Sequence, residues 1–459
     1  MSQSQPQHAA LNPNRSIKAI RTVRFWAAPL VITLALMSAL CALYLGGILK
    51  PMTNLRHFPI AVVNQDSGPA GAEIVGRLAN RMDKNRFDIR VLTLGEAKHQ
   101  LDTAQVYGAL LIPPGFSSQL QEFEASAVTP NHAARPAVTI FTNPRAGTLG
   151  PSIANETLTV AMGLANGFLG GRLVAEVLAQ NGGAPLVGAA EVSLASPIEV
   201  RSVVYNPLPS GTGNGLSAFY YALLLLLAGF TGSIVVNMLV DALLGYVPAE
   251  FGPVYYFAEK VRISRFQTLL VKWGMMVLLA LLTSAAYLAI ADGLGMPIDL
   301  GWQLWAFGVF AIAAVGITST SLLATLGTLG LLVSLLIYVI LGLPSAGATV
   351  PLEATPRFFR WLAEFEPMHQ VFLGTRSLLY LNGHADTGLS QSLTMTSIGL
   401  VIGLLLGGII YLYDRKGFHR IPGAAEMAIA IEHQAQHQAR QSKAAPATQD
   451  EPESASEQT

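Results

Sequence analysis

From Trp302 to Leu343 the chain runs without one charged side chain. That is about twice the length a single helix needs to cross a bilayer core of roughly 30 Å. The run therefore predicts two membrane helices, near 302–323 and 326–343, turning around Ala324–Gly327. Four more stretches are long and apolar enough for one crossing each. They are Phe25–Leu49, 216–240, 269–291 and 393–413. The third carries a single charge, Lys272, near its start, where the long side chain is expected to snorkel to the interface. The whole chain is 51% hydrophobic and 12% charged, against roughly a quarter charged in ordinary globular proteins. These features predict an α-helical polytopic membrane protein with six transmembrane helices.

Lysine and arginine set the orientation. Arg15, Lys18, Arg21 and Arg24 precede the first span, Lys260, Arg262 and Arg265 follow the second, and Arg415, Lys416 and Arg420 follow the last. Six spans put all three clusters on one side, the cytoplasm. The tail 1–24, the loop 241–268 and the tail 414–459 then lie inside, in an inner or plasma membrane. The short outer loop 292–301 holds Asp292 and Asp299 and no base. The first run is too long for a signal peptide and lacks a small-residue exit, so it reads as a retained anchor. One rival crossing, Thr157–Gly171, is short and bounded by Glu156 and Arg172. It reads as a core-facing helix of a soluble domain.

Residues 50–213 then form an extracytoplasmic domain, inserted between spans one and two. Strand-like segments at 58–64, 87–93, 107–112, 138–142 and 197–205 alternate with helical ones at 70–82, 95–103, 114–122 and 151–180. That alternation predicts a small, largely parallel α/β layer. Gly163, Gly167 and Gly171 recur every four residues in the long helix. The smooth face they make suits close helix packing within the chain or between subunits, or is a coincidence of a glycine-rich sequence. After the fifth span, the outer loop 344–392 contains Phe358, Phe359, Trp361, Leu362 and Phe365 among arginines, an amphipathic helix for the outer interface or an ordinary surface helix. Pro367 ends it, and a second half-helix is expected at 371–381. The tail from Glu426 is polar and reads as a short helix followed by disorder.

Familiar chemistry is missing. Net charge is zero, which gives no reason to expect nucleic acid as a partner. The one cysteine, Cys41, can form no intrachain disulfide. No phosphate-loop motif occurs, and SGTGNG at 210–215 lacks its lysine. His57, His99, His132, His369 and His384 are scattered without metal-ligand spacing. The spans hold almost no acids, with Asp241 at a helix end, which argues against a proton antiporter of the usual kind. Asp66 and Ser67 lie in a strand-to-helix turn and have no visible catalytic partner, so their main role is to shape that turn. The expectation is a non-enzyme with no cofactor and no metal.

Three stretches carry a resemblance. YLGGILKPMTNLRHFPIAVVNQDSGPAG (44–71) resembles the entry to the outer domain of the nitrosoguanidine-resistance family and of the phage-infection-protein (YhgE/Pip) family. There a strand ending V-V-N-x-D-x-G follows the first span. VYGALLIPPGFSSQL (106–120) resembles that group's next signature, I-P-x-x-F-S. PRFFRWLAEFEPMHQVFLGTRSLLYLNG (356–383) is similar to the outer segment before the last helix of type-2 ABC-transporter permeases. On this resemblance the motif positions to watch are Asn64, Asp66, Gly68, Pro113, Phe116, Pro367, Arg376 and Tyr380. It implies an export permease for lipophilic or toxic compounds or envelope components, embedded in membrane lipid. The permease would pair as a homo- or hetero-dimer and be powered, if at all, by a separate ATPase. The only place for an ATPase-coupling helix is near Val254–Val261. The alternative is an envelope receptor or assembly scaffold that binds a protein through the outer domain.

Overall fold

The computed structural model describes residues 23–126, 133–180, 188–251, 254–256 and 258–416. The tail from Glu426 lies outside them. Helix α1 (Val23–Ile48) leads through one helical turn at Pro51–Asn54 into the sheet region. There β1 (Phe58–Asn64), α2 (Pro69–Arg81), β2 (Phe87–Val91), α3 (Leu94–Asp102), β3 (Gly108–Ile112) and α4 (Phe116–Ser126) alternate. They are followed by β4 (Ala137–Thr142), α5 (Gly150–Gln180), α6 (Gly188–Ala195) and β5 (Glu199–Val204). Local chemistry sets these boundaries. Pro69 opens α2 at a first-turn position. Thr93 and Glu96 cap each other at the start of α3.

The strands order as β2-β1-β3-β4-β5. Only the β3–β4 pairing is antiparallel. β1 is buried along nearly its whole length, as an inner parallel strand covered on both faces must be. One face carries Ile60, Val62, Leu110 and Ile140 into a core with Ile74 of α2 and Leu158, Met162 and Leu169 of α5. The other face sets Ala61, Val63 and Ala109 against Ala97 and Leu101 of α3. The start of β1 and the end of β5 adjoin the long helices. The Asn64 end of β1 lies a strand length away, about 20 Å.

Then come α7 (Leu216–Leu243), a hairpin of β6 (Ala249–Phe251) and β7 (Val254–Tyr256), α8 (Arg265–Gly293), α9 (Gly301–Leu326) and α10 (Thr328–Ser345). The last three are α11 (Arg357–Ala363), α12 (Pro367–Tyr380) and α13 (Leu389–Arg415). Among the described residues, seven helices are long and apolar enough to cross a membrane: α1, α5, α7, α8, α9, α10 and α13. The expected count of six differs by α5. That helix meets the length and composition of a crossing, yet buries one whole stripe against the sheet. The long apolar run turns at Gly327, which takes a positive φ of 60°. α10 relaxes into a π-helical segment at Leu336–Leu341.

α9 is the centre of the bundle, packing against α7, α8 and α13. Small residues allow the close approach. A side chain at Gly316 would strike Met276 of α8, and one at Gly403 would strike Thr318 of α9. Gly163, Gly167 and Gly171 on α5 have nothing near them, so among the described residues no helix packs on these glycines. α11 has the expected two-sided character. Phe359 and Leu362 are buried, whereas Phe358, Trp361 and the nearby Phe365 are exposed.

One expectation fails outright. The described residues around 254–261 form the β6–β7 hairpin and an irregular segment. Val254, Tyr255 and Tyr256 are β-branched and aromatic, and strand pairing wins over a helix there.

Candidate functional site

The two sheet-region motifs meet. The carboxylate of Asp66 accepts the Ser117 N–H at 3.1 Å and the Gly71 N–H at 3.2 Å, together with the Ser117 hydroxyl. Asn64 accepts the Asp66 N–H at 3.1 Å. Asp66 is thus the anion at the N-terminal ends of both α2 and α4. Burial raises its carboxyl, but the hydrogen bonds from Ser117, Gly71 and Gly68 outweigh that and hold it below the usual carboxylate range. Gly68 is required by space, since a Cβ there would lie 2.3 Å from that of Ser117. Phe116 is fully buried beneath the turn, and Pro113 directly follows β3. In an α/β sheet of this order the β1/β3 crevice is where a ligand is expected. Here the protein's own carboxylate saturates it.

Arg376 and Tyr380 lie at the opposite end of the strands, where the sheet region is bolted to the bundle. The Arg376 guanidinium donates to the Ala146 carbonyl at 3.1 Å. The Tyr380 hydroxyl bonds Ser217 at 2.7 Å and accepts the Ala218 N–H at the start of α7. Arg145 spans the joint, donating to the carbonyls of Tyr380, Asn206 and Pro207. The Tyr107 hydroxyl donates to Glu353 at 2.9 Å. Burial pulls Arg376 down and pushes the Tyr107 phenol well up. Pro367 opens α12 directly after its cap, Glu366, which accepts the N–H groups of Met368 and His369. Glu366 is 2% exposed, and burial pushes it up to about 7 against those bonds and a contact from Ser345.

The predicted residues thus form two separate groups, and of them Pro367 alone lines either of the two bundle cavities. The larger cavity lies at the far end of the bundle, opposite the sheet. It has a volume of about 500 Å³ and is walled by α7, α8, the α9–α10 turn and Ile410 of α13. Lys272 reaches into its wall, only 4% exposed. The ammonium lies 2.9 Å from Asp241 and donates to the Asn237 side chain at 2.6 Å. The expected snorkelling is therefore wrong. Lys272 faces inward because a carboxylate on the neighbouring helix supplies the partner that makes burial tolerable. Arg265 lines the same cavity, and its buried Nε has no hydrogen-bond partner among the described residues. A second, apolar cavity of about 210 Å³ lies toward the sheet end, between α9, the π segment, α12 and α13, with Tyr338 and Gln370 among its polar edges.

Sequence reasoning noticed both Lys272 and Asp241 but did not pair them. A lone charge on each of two successive spans, near the same end, was the available signal. Ser117 closes the I-P-x-x-F-S signature, whereas Arg145 and Glu353 carried no signal beyond their polarity.

Residues 28–402 match the family described as a protein of unknown function, DUF3533. No curated protein and no solved structure matches the chain.

Proposed function

The chain belongs to the DUF3533 family, and from that premise we propose that it is a multi-pass export permease for lipophilic or toxic compounds or envelope components. In this reading α1, α7, α8, α9, α10 and α13 span the inner or plasma membrane, and the sheet region, α5 included, stands on its extracytoplasmic side. Both termini are cytoplasmic, and the fold is that of a distant relative of YhgE/Pip proteins and type-2 ABC permeases. The observation that carries the reading is the pair of cavities, one charged and one apolar, that share α9 and α13 at opposite ends of the bundle. Such a pair suits a cargo with apolar bulk that enters at one side and leaves at the other.

Energy, if any is supplied, would come from a separate ATPase, and the β6–β7 hairpin stands where its coupling helix was expected. Deleting the protein is expected to sensitise cells to lipophilic toxic compounds, and gentle detergent purification to retain an ATPase. Unchanged resistance together with no ATPase would defeat the reading.

One observation favours the second reading, a receptor or scaffold. The outward face of α5 leaves Val160 and Leu164 exposed beside its open glycines, the kind of patch that marks a partner site. A version lacking 55–210 would then lose a protein partner.

A further inference from the structure

We infer that the charged cavity binds an anionic amphiphile, one acidic headgroup on an alkyl chain, and that Asp241 is the resident anion that this headgroup displaces from Lys272. The inference deepens the export reading and rests on it for the side from which the ligand enters.

The charge balance of the wall points to an anion. Among the residues lining the cavity, Lys272 and Arg265 are the cations and Asp241 the one carboxylate. The pair Lys272–Asp241 accounts for one positive charge. The Arg265 guanidinium is left with a buried, unpartnered Nε. A charged donor out of water and without an acceptor is costly, and an incoming phosphate or carboxylate would supply that acceptor. A cation would meet two like charges, and a neutral ligand would leave Arg265 as it stands.

The rest of the wall points to an alkyl chain. Leu323 and Leu331, from α9 and α10, line the cavity together with Leu269, which lies between Arg265 and Lys272 on α8. Met238, also in the wall, is 64% exposed on the outer surface of the bundle, so the site adjoins the side where lipid would lie. The volume of about 500 Å³ falls within the roughly 300–1,000 Å³ of small-molecule sites. Exchange of Asp241 for a ligand anion keeps Lys272 paired throughout. The buried ammonium is never stranded, and the released Asp241 carboxylate is turned to the open cavity, a cost that the ligand's pairing with both Lys272 and Arg265 has to offset.

The test uses the full-length protein in a neutral detergent, titrated calorimetrically with dodecyl phosphate, dodecyltrimethylammonium and inorganic phosphate. Dodecyl phosphate is expected to bind and the other two are not. Asp241→Asn removes the resident rival and should tighten dodecyl phosphate by roughly tenfold. Arg265→Gln, which breaks no hydrogen bond or ion pair described, should weaken it by roughly tenfold or more. Preference for the cationic amphiphile, inorganic phosphate binding as tightly as dodecyl phosphate, or a weaker or unchanged Asp241→Asn variant would each overturn the inference. Binding is read without transport. A resistance phenotype without binding sinks only this inference, and binding without a phenotype sinks only the export reading.

Discussion

Asp66, set in a recognisable motif, and Asp241, alone at a helix end, are aspartates in opposite circumstances. Asp66 is closed in by donors from two turns, all of them from its own sheet region. Asp241 has a lysine on one side and an open cavity beside it. A carboxylate whose acceptor sites are filled by backbone N–H groups has no capacity left for a ligand, whatever motif surrounds it. Asp241 lies instead in the wall of an open cavity beside its paired lysine. The difference teaches that a recognisable motif can mark architecture, while the charged, open cavity lies where the sequence looks plain.

The sharpest way to break this comparison is Lys272→Met. It strands Asp241 in the cavity wall and is expected to cost about 3–5 kcal/mol, read as a large drop in thermal stability in detergent. The double variant Asp241→Leu/Lys272→Met should recover most of that loss while losing anion binding. A silent single variant would mean that the pair is solvated and the contrast false.

Glu366 sits between the two extremes, capped by N–H groups yet held up to about 7 by burial. Its folded value is raised, so its contribution to stability is full below the unfolded carboxyl range and is lost as pH rises toward 7. That loss is of order 3 kcal/mol between about pH 4.5 and 7. Glu366→Gln keeps a cap acceptor and should flatten the profile. A profile identical to wild type would remove Glu366 from the account.

The smallest effect is expected at Asp66. Asp66→Ala should destabilise the sheet region by about 2 kcal/mol without changing binding of an anionic amphiphile. Because its folded value is depressed, the wild-type contribution is present above the ordinary carboxylate range and fades as pH falls through the folded value. Altered ligand binding in this variant would merge the two sites that the comparison separates.

Much of the sheet region was legible in the residues. Phe58–Asn64 reads as a strand because β-branched and apolar residues run into a dense turn, and β1 has those bounds. The long helix expected at 151–180 is α5, Gly150–Gln180. Hydrophobic length also found the long helices, though it cannot distinguish α5, apolar on one face for the sheet, from a crossing helix. Which faces of neighbouring spans meet was much less legible. Nothing in a uniformly apolar helix says which face meets a neighbour, so Lys272 was read against water rather than against Asn237 and Asp241. The meeting of Asp66 with Ser117 was hidden for the same reason, since strand order and not chain order brings β1 beside β3.

The joint formed by Arg145, Arg376 and Tyr380 has a mechanical consequence. Tyr380 is tied at once to the first turn of α7 and, through Arg145, to the chain that leaves β5. The base of the sheet and the top of the bundle therefore share one frame. A tilt of α12 or α7 would turn the sheet as a rigid vane, and the Asp66 tip, a strand length from the pivot, would sweep the widest arc.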